Sequence, residues 1–251
     1  MKALITGASS GIGLEFAKAL AKEGYDLVIV ARNIQKLNEL KCDICKSNVT
    51  NVDVVQMDLS EKENCMKLYN QYKNKIDLLI NNAGFGTYGN FDQTDLETEL
   101  GLINTNISAV HILTKLFLRD MKAKNFGTIL NVASIAGFTP GPLMATYYAS
   151  KSYVIRLSQA IKEELRKEKS NVKISVLCPG PVDTNFNKVA NVKFTNKPIR
   201  TDYVIKYTLK KMKRNKFYII PGASIRALRY VCKLVPDMTM AKFVFGVKKG
   251  D

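Results

Sequence analysis

Two side chains four residues apart, Tyr147 and Lys151, suggest the first chemistry to look for. On a helix, positions i and i+4 lie one above the other on a single face, so a phenol and an ammonium group at that spacing project into the same space. A phenol with an ordinary pKa near about 10 exchanges protons poorly at neutral pH unless a nearby cation lowers that value. With such a cation it becomes a proton donor for an oxygen that gains negative charge, which is what any step leaving an alkoxide requires. A second constellation, Thr6-Gly7-Ala8-Ser9-Ser10-Gly11-Ile12-Gly13, follows a short apolar run and leads into a helical pattern. Its glycines let the backbone turn tightly and approach a pyrophosphate, while the helix N-terminus offers unpaired N–H groups and the positive end of its dipole. A tight turn with packing glycines is the bland alternative, and the position between strand and helix favours the dinucleotide.

The elements that must hold these residues are short apolar runs alternating with amphipathic stretches. Ala3–Thr6, Leu27–Ala31, Val52–Met57, Leu78–Asn81, Thr128–Val132 and Lys173–Leu177 read as strands rich in Val, Ile and Leu. Gly13–Glu23 and Ser150–Glu168 carry apolar residues at helical spacing. This βαβα order, with strands apolar on both faces, predicts a doubly wound parallel α/β sheet of Rossmann type, covered by helices on each side in three layers. The 251 residues contain 46% hydrophobic side chains, which excludes a disordered or collagen-like chain. Length and the lack of a linker predict one domain over 1–251, with 185–251 forming a substrate lid and a basic C-terminal segment within it. The polar stretch Asn185–Arg200 reads as a long binding loop or lid.

Ligands of such sheets lie outside the C-terminal ends of the strands. The second strand ends at Val30-Ala31-Arg32-Asn33, where an acidic residue would bond the ribose 2′-hydroxyl of NAD. No carboxylate stands there, and Arg32 offers a planar fork of donors to a 2′-phosphate, so NADP(H) is the expected cofactor. A solvated Arg at a helix start is the alternative. Asp58, just past the third strand, is placed to bond the adenine amino group.

Taken in order, Gly7/Gly11/Gly13, Asn81-Asn82-Ala83-Gly84, Ser134, Tyr147 with Lys151 as YxxxK, and Pro179-Gly180-Pro181-Val182-Asp183-Thr184 resemble the short-chain dehydrogenase/reductase family across residues 6–184. The resemblance implies a sheet of about seven parallel strands and hydride transfer between a nicotinamide and a small-molecule carbonyl or alcohol. It implies that Tyr147 is the acid–base group, that Lys151 also bonds the nicotinamide ribose and that Ser134 bonds the substrate oxygen. Asn106 matches the family's catalytic Asn, which holds a water linking the Lys to solvent, with Asn104 as the competing candidate. Ser9, Ser10, Ile12, Asn82, Ala83 and Gly84 would border the dinucleotide, and Pro179, Gly180, Val182 and Thr184 would close over the nicotinamide. A homo-oligomer, dimer or tetramer, is expected by the same resemblance, through the helices following Asn106 and containing Tyr147.

Tyr148 lacks the spacing to Lys151 and reads as pocket wall or packing. His111, the one histidine, sits in an apolar run and suits packing or an interface. Cys42 and Cys45 form a CxxC with no second pair, so no metal site is expected. An odd count of five cysteines and a start without the features of a secretory leader predict a reducing, cytoplasmic setting. Phe85–Tyr88, Phe138–Met144, Tyr148 and the loop after Thr184 predict a mostly apolar pocket for a moderately apolar substrate. The net charge of +16 is lopsided, with +3 over residues 1–185 and +13 over 186–251. A solvated helical surface over a packed apolar face accounts for that basic end. Steering of anionic ligands and peripheral contact with anionic lipid are the sharper alternatives. Nucleic acid is not expected, because no recognition motif accompanies the charge. The alternative functions are a nucleotide-binding sensor or scaffold without turnover, opposed by the intact Ser134, Tyr147 and Lys151, and a basic protein binding nucleic acid or a lipid surface.

Overall fold

Six apolar runs become parallel strands: β1 (Lys2–Thr6), β2 (Asp26–Ala31), β3 (Val52–Gln56), β4 (Leu78–Asn81), β5 (Thr128–Val132) and β6 (Lys173–Leu177). A seventh, β7 (Tyr218–Ile219), pairs with the end of β6 through Val176↔Tyr218 and Leu177↔Ile219. The computed structural model describes residues 1–184 and 198–249. The sheet order is β3-β2-β1-β4-β5-β6-β7, so the winding reverses between β1 and β4 and opens a crevice at their C-terminal ends.

Because strand side chains alternate, β1 sends Ala3 and Ile5 to one face and Leu4 to the other. On the first face lie α1 (Gly11–Lys22), α2 (Ile34–Ser47) and α7 (Thr201–Lys213), contributing Phe16, Leu20, Leu37, Val204 and Ile205 to one core. On the second lie α3 (Lys62–Tyr72), α5 (Val110–Ala123) and α6 (Ala145–Lys167), contributing Leu68, Phe117, Met121 and Ile161. Each fully buried side chain of this size stabilises the fold by about 1.5–3 kcal/mol relative to exposure. The expected α/β sandwich is therefore present.

Two helix starts differ from the sequence expectation in ways that matter for the site, and one strand has no counterpart in that expectation. Helix α1 starts at Gly11, two residues early, directly on the glycine loop. Helix α6 starts at Ala145 rather than Ser150, which puts Tyr147 in its first turn. Strand β7 is only two residues long, too short to show alternation, and its pairing with β6 defines it. Of the expected loop Asn185–Arg200, residues 185–197 lie outside the described residues, while Ile199 bridges in parallel to Val182. Among the described residues no helix is long and apolar enough to cross a membrane.

A buried polar network ties the middle of the sheet to the helices behind the site. Asn81 Nδ2 donates to Asn131 Oδ1 at 2.9 Å and Thr114 Oγ1 at 3.0 Å, and Asn131 Nδ2 donates to Ser158 Oγ at 3.0 Å. This joins β4 and β5 to α5 and α6 with bonds that an apolar core would lack, fixing the strand ends from which the site loops depart.

Candidate active site

A cleft of about 680 Å³ runs across the C-terminal ends of the strands and is bordered by most residues singled out from the sequence. Its nucleotide end is built from backbone. Gly7 (φ +66) and Gly11 (φ +53) occupy left-handed conformations that favour glycine, and a Cβ on Gly7 would stand 2.9 Å from Ala83 Cα. Ser10, the N-cap of α1, makes no side-chain cap bond, so the first-turn N–H groups are left for a ligand where Ser10, Gly11 and Ile12 line the cleft. Gly13 lies behind that surface, where a Cβ would come 2.4 Å from Gly7 O, so its smallness lets α1 press against the loop.

Asn82 fastens the loop after β4 to this cradle. Its Nδ2 donates to Thr6 O at 2.9 Å and Gly7 O at 3.2 Å, while Thr6 Oγ1 accepts from Asn82 N and Ala83 N, both at 2.9 Å. From the other side, Thr184 Cγ2 lies 3.1 Å from an ideal Cβ on Gly11, bringing the loop after β6 onto the same helix end. The uncapped helix end, where Ser10, Gly11 and Ile12 border the cleft, fits a dinucleotide pyrophosphate.

Arg32 stands at the rim with its side chain 74% exposed, 3.8 Å from Asp58 Oδ2. A loose, solvated pair of this kind contributes little to stability. Asp58 also accepts from Ser60 N at 2.9 Å and Ser60 Oγ at 2.8 Å. Burial raises its pKa, but those bonds and Arg32 outweigh burial and hold the carboxyl below its ordinary value.

At the other end of the cleft, Tyr147 and Lys151 project from the first two turns of α6, both buried. Ser134 caps the short 3-10 turn Ile135–Phe138, accepting from Ala136 N at 3.2 Å, and its hydroxyl works against the effect of burial on the Tyr147 phenol. Lys151 Nζ donates to Val132 O at 3.1 Å and lies 5.7 Å from the Tyr147 ring centroid. Burial pushes Tyr147 up to about 12 and Lys151 down to about 8, each against its charged form. Burial outweighs everything that would lower the phenol. A further positive charge in the cleft, such as an oxidised nicotinamide would bring, would lower it.

The two competing asparagines separate clearly. A π-helical turn (Asn104–Ala109) sits between α4 (Leu96–Ile103) and α5, and it buries Asn106 fully while leaving Asn104 exposed. Asn106 Oδ1 accepts from Phe85 N at 3.1 Å, and Nδ2 donates to Phe85 O at 2.9 Å and Ser150 Oγ at 3.1 Å. An ideal Cβ on Gly84 would lie 2.7 Å from Asn106 Oδ1 and 3.4 Å from Lys151 Nζ, so Gly84 permits this close approach. Asn106 does not border the cleft itself, and such turns frequently mark functional positions.

Phe85, Thr139, Met144 and Tyr148 form the apolar wall expected from the sequence. The sequence predicts a substrate lid within 185–251 without naming the residues of the opposite wall: Leu228 on α8 (Ala223–Leu234) and Met240, Phe243 and Val244 on α9 (Asp237–Lys249). The one available signal was Ile225 and Leu228 at helical spacing. His111 lies outside the cleft, with Nδ1 2.7 Å from Tyr153 Oη between α5 and α6. Cys42 and Cys45 are free and exposed on α2, and no cluster able to hold a metal occurs among the described residues.

The family described as short chain dehydrogenase matches residues 1–193. The chain belongs to that family. Rattus norvegicus 17-beta-hydroxysteroid dehydrogenase type 3 is 33% identical over 212 residues, 83% of this chain and 68% of that protein. Anas platyrhynchos very-long-chain 3-oxoacyl-CoA reductase is 33% identical over 211 residues, 80% of this chain and 66% of that protein. The match thus spans about two thirds of the length of these curated relatives. The short-chain dehydrogenase from Sphingobium yanoikuyae, solved with NADPH, superposes with a TM-score of 0.86 at 28% identity, covering 92% of this chain and 91% of that one. The chain is a nicotinamide-dependent oxidoreductase acting on carbonyl or alcohol groups.

Proposed function

We propose that this short-chain dehydrogenase prefers NADP(H) and interconverts a moderately apolar ketone or aldehyde with its alcohol, using Tyr147 as proton donor and acceptor. The observation that carries this reading is the grouping of Ser134, Tyr147 and Lys151, with Lys151 Nζ 5.7 Å from the Tyr147 ring centroid, in one cleft that the glycine cradle and Arg32 also line. When bound, the reduced nicotinamide supplies the hydride that the carbonyl carbon gains. Tyr147 gives its hydroxyl proton to the oxygen, and Ser134 holds that oxygen by a hydrogen bond. Lys151 stabilises the phenolate left behind and returns a proton to it, besides bonding the nicotinamide ribose. Asn106 keeps the Phe85 and Ser150 segments in register and orders the water through which Lys151 is reprotonated.

Arg32 takes the 2′-phosphate, Asp58 the adenine amino group, and the first turn of α1 the pyrophosphate. Pro179, Gly180, Val182 and Thr184 wall the nicotinamide. An apolar substrate suits Met144, Tyr148, Leu228 and Met240, which line the far part of the cleft. The names of the two curated relatives, a steroid dehydrogenase and an acyl-CoA reductase, are consistent with bulky apolar carbonyls. Two further readings belong here: a dimer or tetramer through α5 and α6, which sedimentation checks, and contact of the basic C-terminal end with anionic membrane.

The test is NADPH against NADH binding, then turnover of a ketone panel by wild type and Tyr147→Phe. The expected result is tighter NADPH binding and a fall in turnover of about 10²–10⁴-fold in the variant with nucleotide binding kept. Unchanged turnover in Tyr147→Phe would overturn the mechanism.

A further inference from the structure

Helix α8 is apolar on two faces. Inward, Ile225 packs against Gly180 and Gly222, and Leu228 lines the cleft. Outward, Ala227, Tyr230, Val231 and Leu234 recur at i, i+3, i+4 and i+7, with Tyr230 62%, Val231 47% and Leu234 85% exposed. A helix packed on one side and facing water on the other normally carries polar residues outward, as α7 does, with Val204, Ile205, Thr208 and Met212 buried and lysines outside. The outward stripe of α8 departs from that rule. It continues past Pro236 into α9 at the exposed Met238, and Phe243 is largely exposed at the mouth of the cleft that it also lines.

The surrounding charge selects the occupant. The span 223–249 contains six basic side chains and one carboxylate, Asp237, and one of the six, Arg229, stacks on the Tyr218 ring at 3.5 Å. Arg226 lies exposed on α8 and Lys242 on α9. Two copies of this surface would repel each other, whereas a face that is apolar and bordered by cations matches an anionic lipid interface.

We propose that α8 and α9 form an interfacial lid: the outward stripe Ala227, Tyr230, Val231 and Leu234 seats in the headgroup–acyl boundary of an anionic bilayer while the inner faces roof the cleft, so that an apolar carbonyl substrate reaches Tyr147 from the membrane. The substrate part of this inference rests on the reductase reading above; the docking part does not.

The chain has no tryptophan, so Leu234→Trp introduces a single indole reporter. Vesicles of mixed phosphatidylserine and phosphatidylcholine should shift its emission to the blue, with quenching by brominated acyl chains. Binding should be about tenfold or more tighter than to phosphatidylcholine alone, and weaker in high salt. The double variant Val231→Glu/Leu234→Glu should lose vesicle co-sedimentation yet keep wild-type turnover of a short water-soluble ketone, a check that it is folded. Its turnover of a long-chain ketone dissolved in vesicles should fall about tenfold. No vesicle-dependent shift would overturn the docking surface, and a shift that grows with protein concentration without lipid would assign the stripe to a second copy instead. Vesicle binding without turnover of any ketone would remove the reductase reading and the membrane route to Tyr147 together.

Discussion

The two ends of the cleft are made of different material. The nucleotide end is backbone: glycine positions without room for a Cβ, an uncapped helix start, and loops stitched together by Asn82 and Thr6. The roof over the substrate end is side chain, with Leu228, Met240, Phe243 and Val244 presented by two helices that add no residue to the proton-transfer group. Backbone geometry admits one kind of ligand and tolerates few substitutions, whereas a roof of flexible apolar side chains can be reshaped without disturbing the chemistry beneath. Changes at the nucleotide and proton-transfer end should therefore abolish function, and changes in the roof should redirect it.

The largest effect is expected from Lys151→Met, with turnover falling about 10²–10⁴-fold. The same substitution should stabilise the nucleotide-free protein. Burial lowers Lys151 from its ordinary 10.5 to about 8, so the unfolded chain holds that proton more tightly between those values. The wild-type contribution is fully present above the unfolded value and is lost as pH falls through about 8, where the buried ammonium costs most. Below that pH the methionine variant should be more stable by about 1 kcal/mol or more, read as a higher melting temperature. A variant that is both inactive and less stable at neutral pH would show that the lysine serves packing rather than chemistry.

Next in size, Arg32→Ala should weaken NADPH by about 10–100-fold and leave NADH unchanged, measured by titrating cofactor fluorescence. Equal losses for both cofactors would mean that Arg32 acts on the adenosine as a whole. Gly84→Ala sharpens the comparison from the backbone side, because its Cβ would stand 2.7 Å from Asn106 Oδ1. Overpacking there should cost about 1–3 kcal/mol in urea unfolding and lower kcat as well. The smallest effect is expected in the roof. Met240→Ala should raise KM for a bulky ketone about tenfold while kcat for a small ketone stays at the wild-type value. A loss of kcat with both ketones would contradict the separation of roof from chemistry.

The same division governed what could be read in the sequence. Gly7, Gly11, Tyr147 and Lys151 stood out because backbone conformation and helical stacking impose their types and spacing locally. The apolar run that follows favours Asn106 over Asn104, and the fold buries Asn106, but a π-helical turn, which ordinary helical periodicity does not describe, is what turns it inward. Helices α8 and α9 were seen as a mixture of charge and apolar residues, but which apolar face is covered depends on a cleft assembled from strands far away in the chain. A surface of lysines over an apolar core describes α7 well and α8 poorly. The ionisation of Tyr147 was also hidden, since spacing gives the proximity of a lysine and says nothing of a burial that raises the phenol to about 12.

The state of that phenol is the most direct test of the whole scheme. Tyrosinate absorbance, taken as the difference between wild type and Tyr147→Phe, should be absent a unit or so below the ordinary phenol pKa of about 10 when no nucleotide is bound. It should appear at that pH on saturation with NADP⁺, and fail to appear in Lys151→Met. An ionisation of Tyr147 that stays at the same pH with and without NADP⁺ would contradict its role as the proton donor poised by lysine and cofactor together.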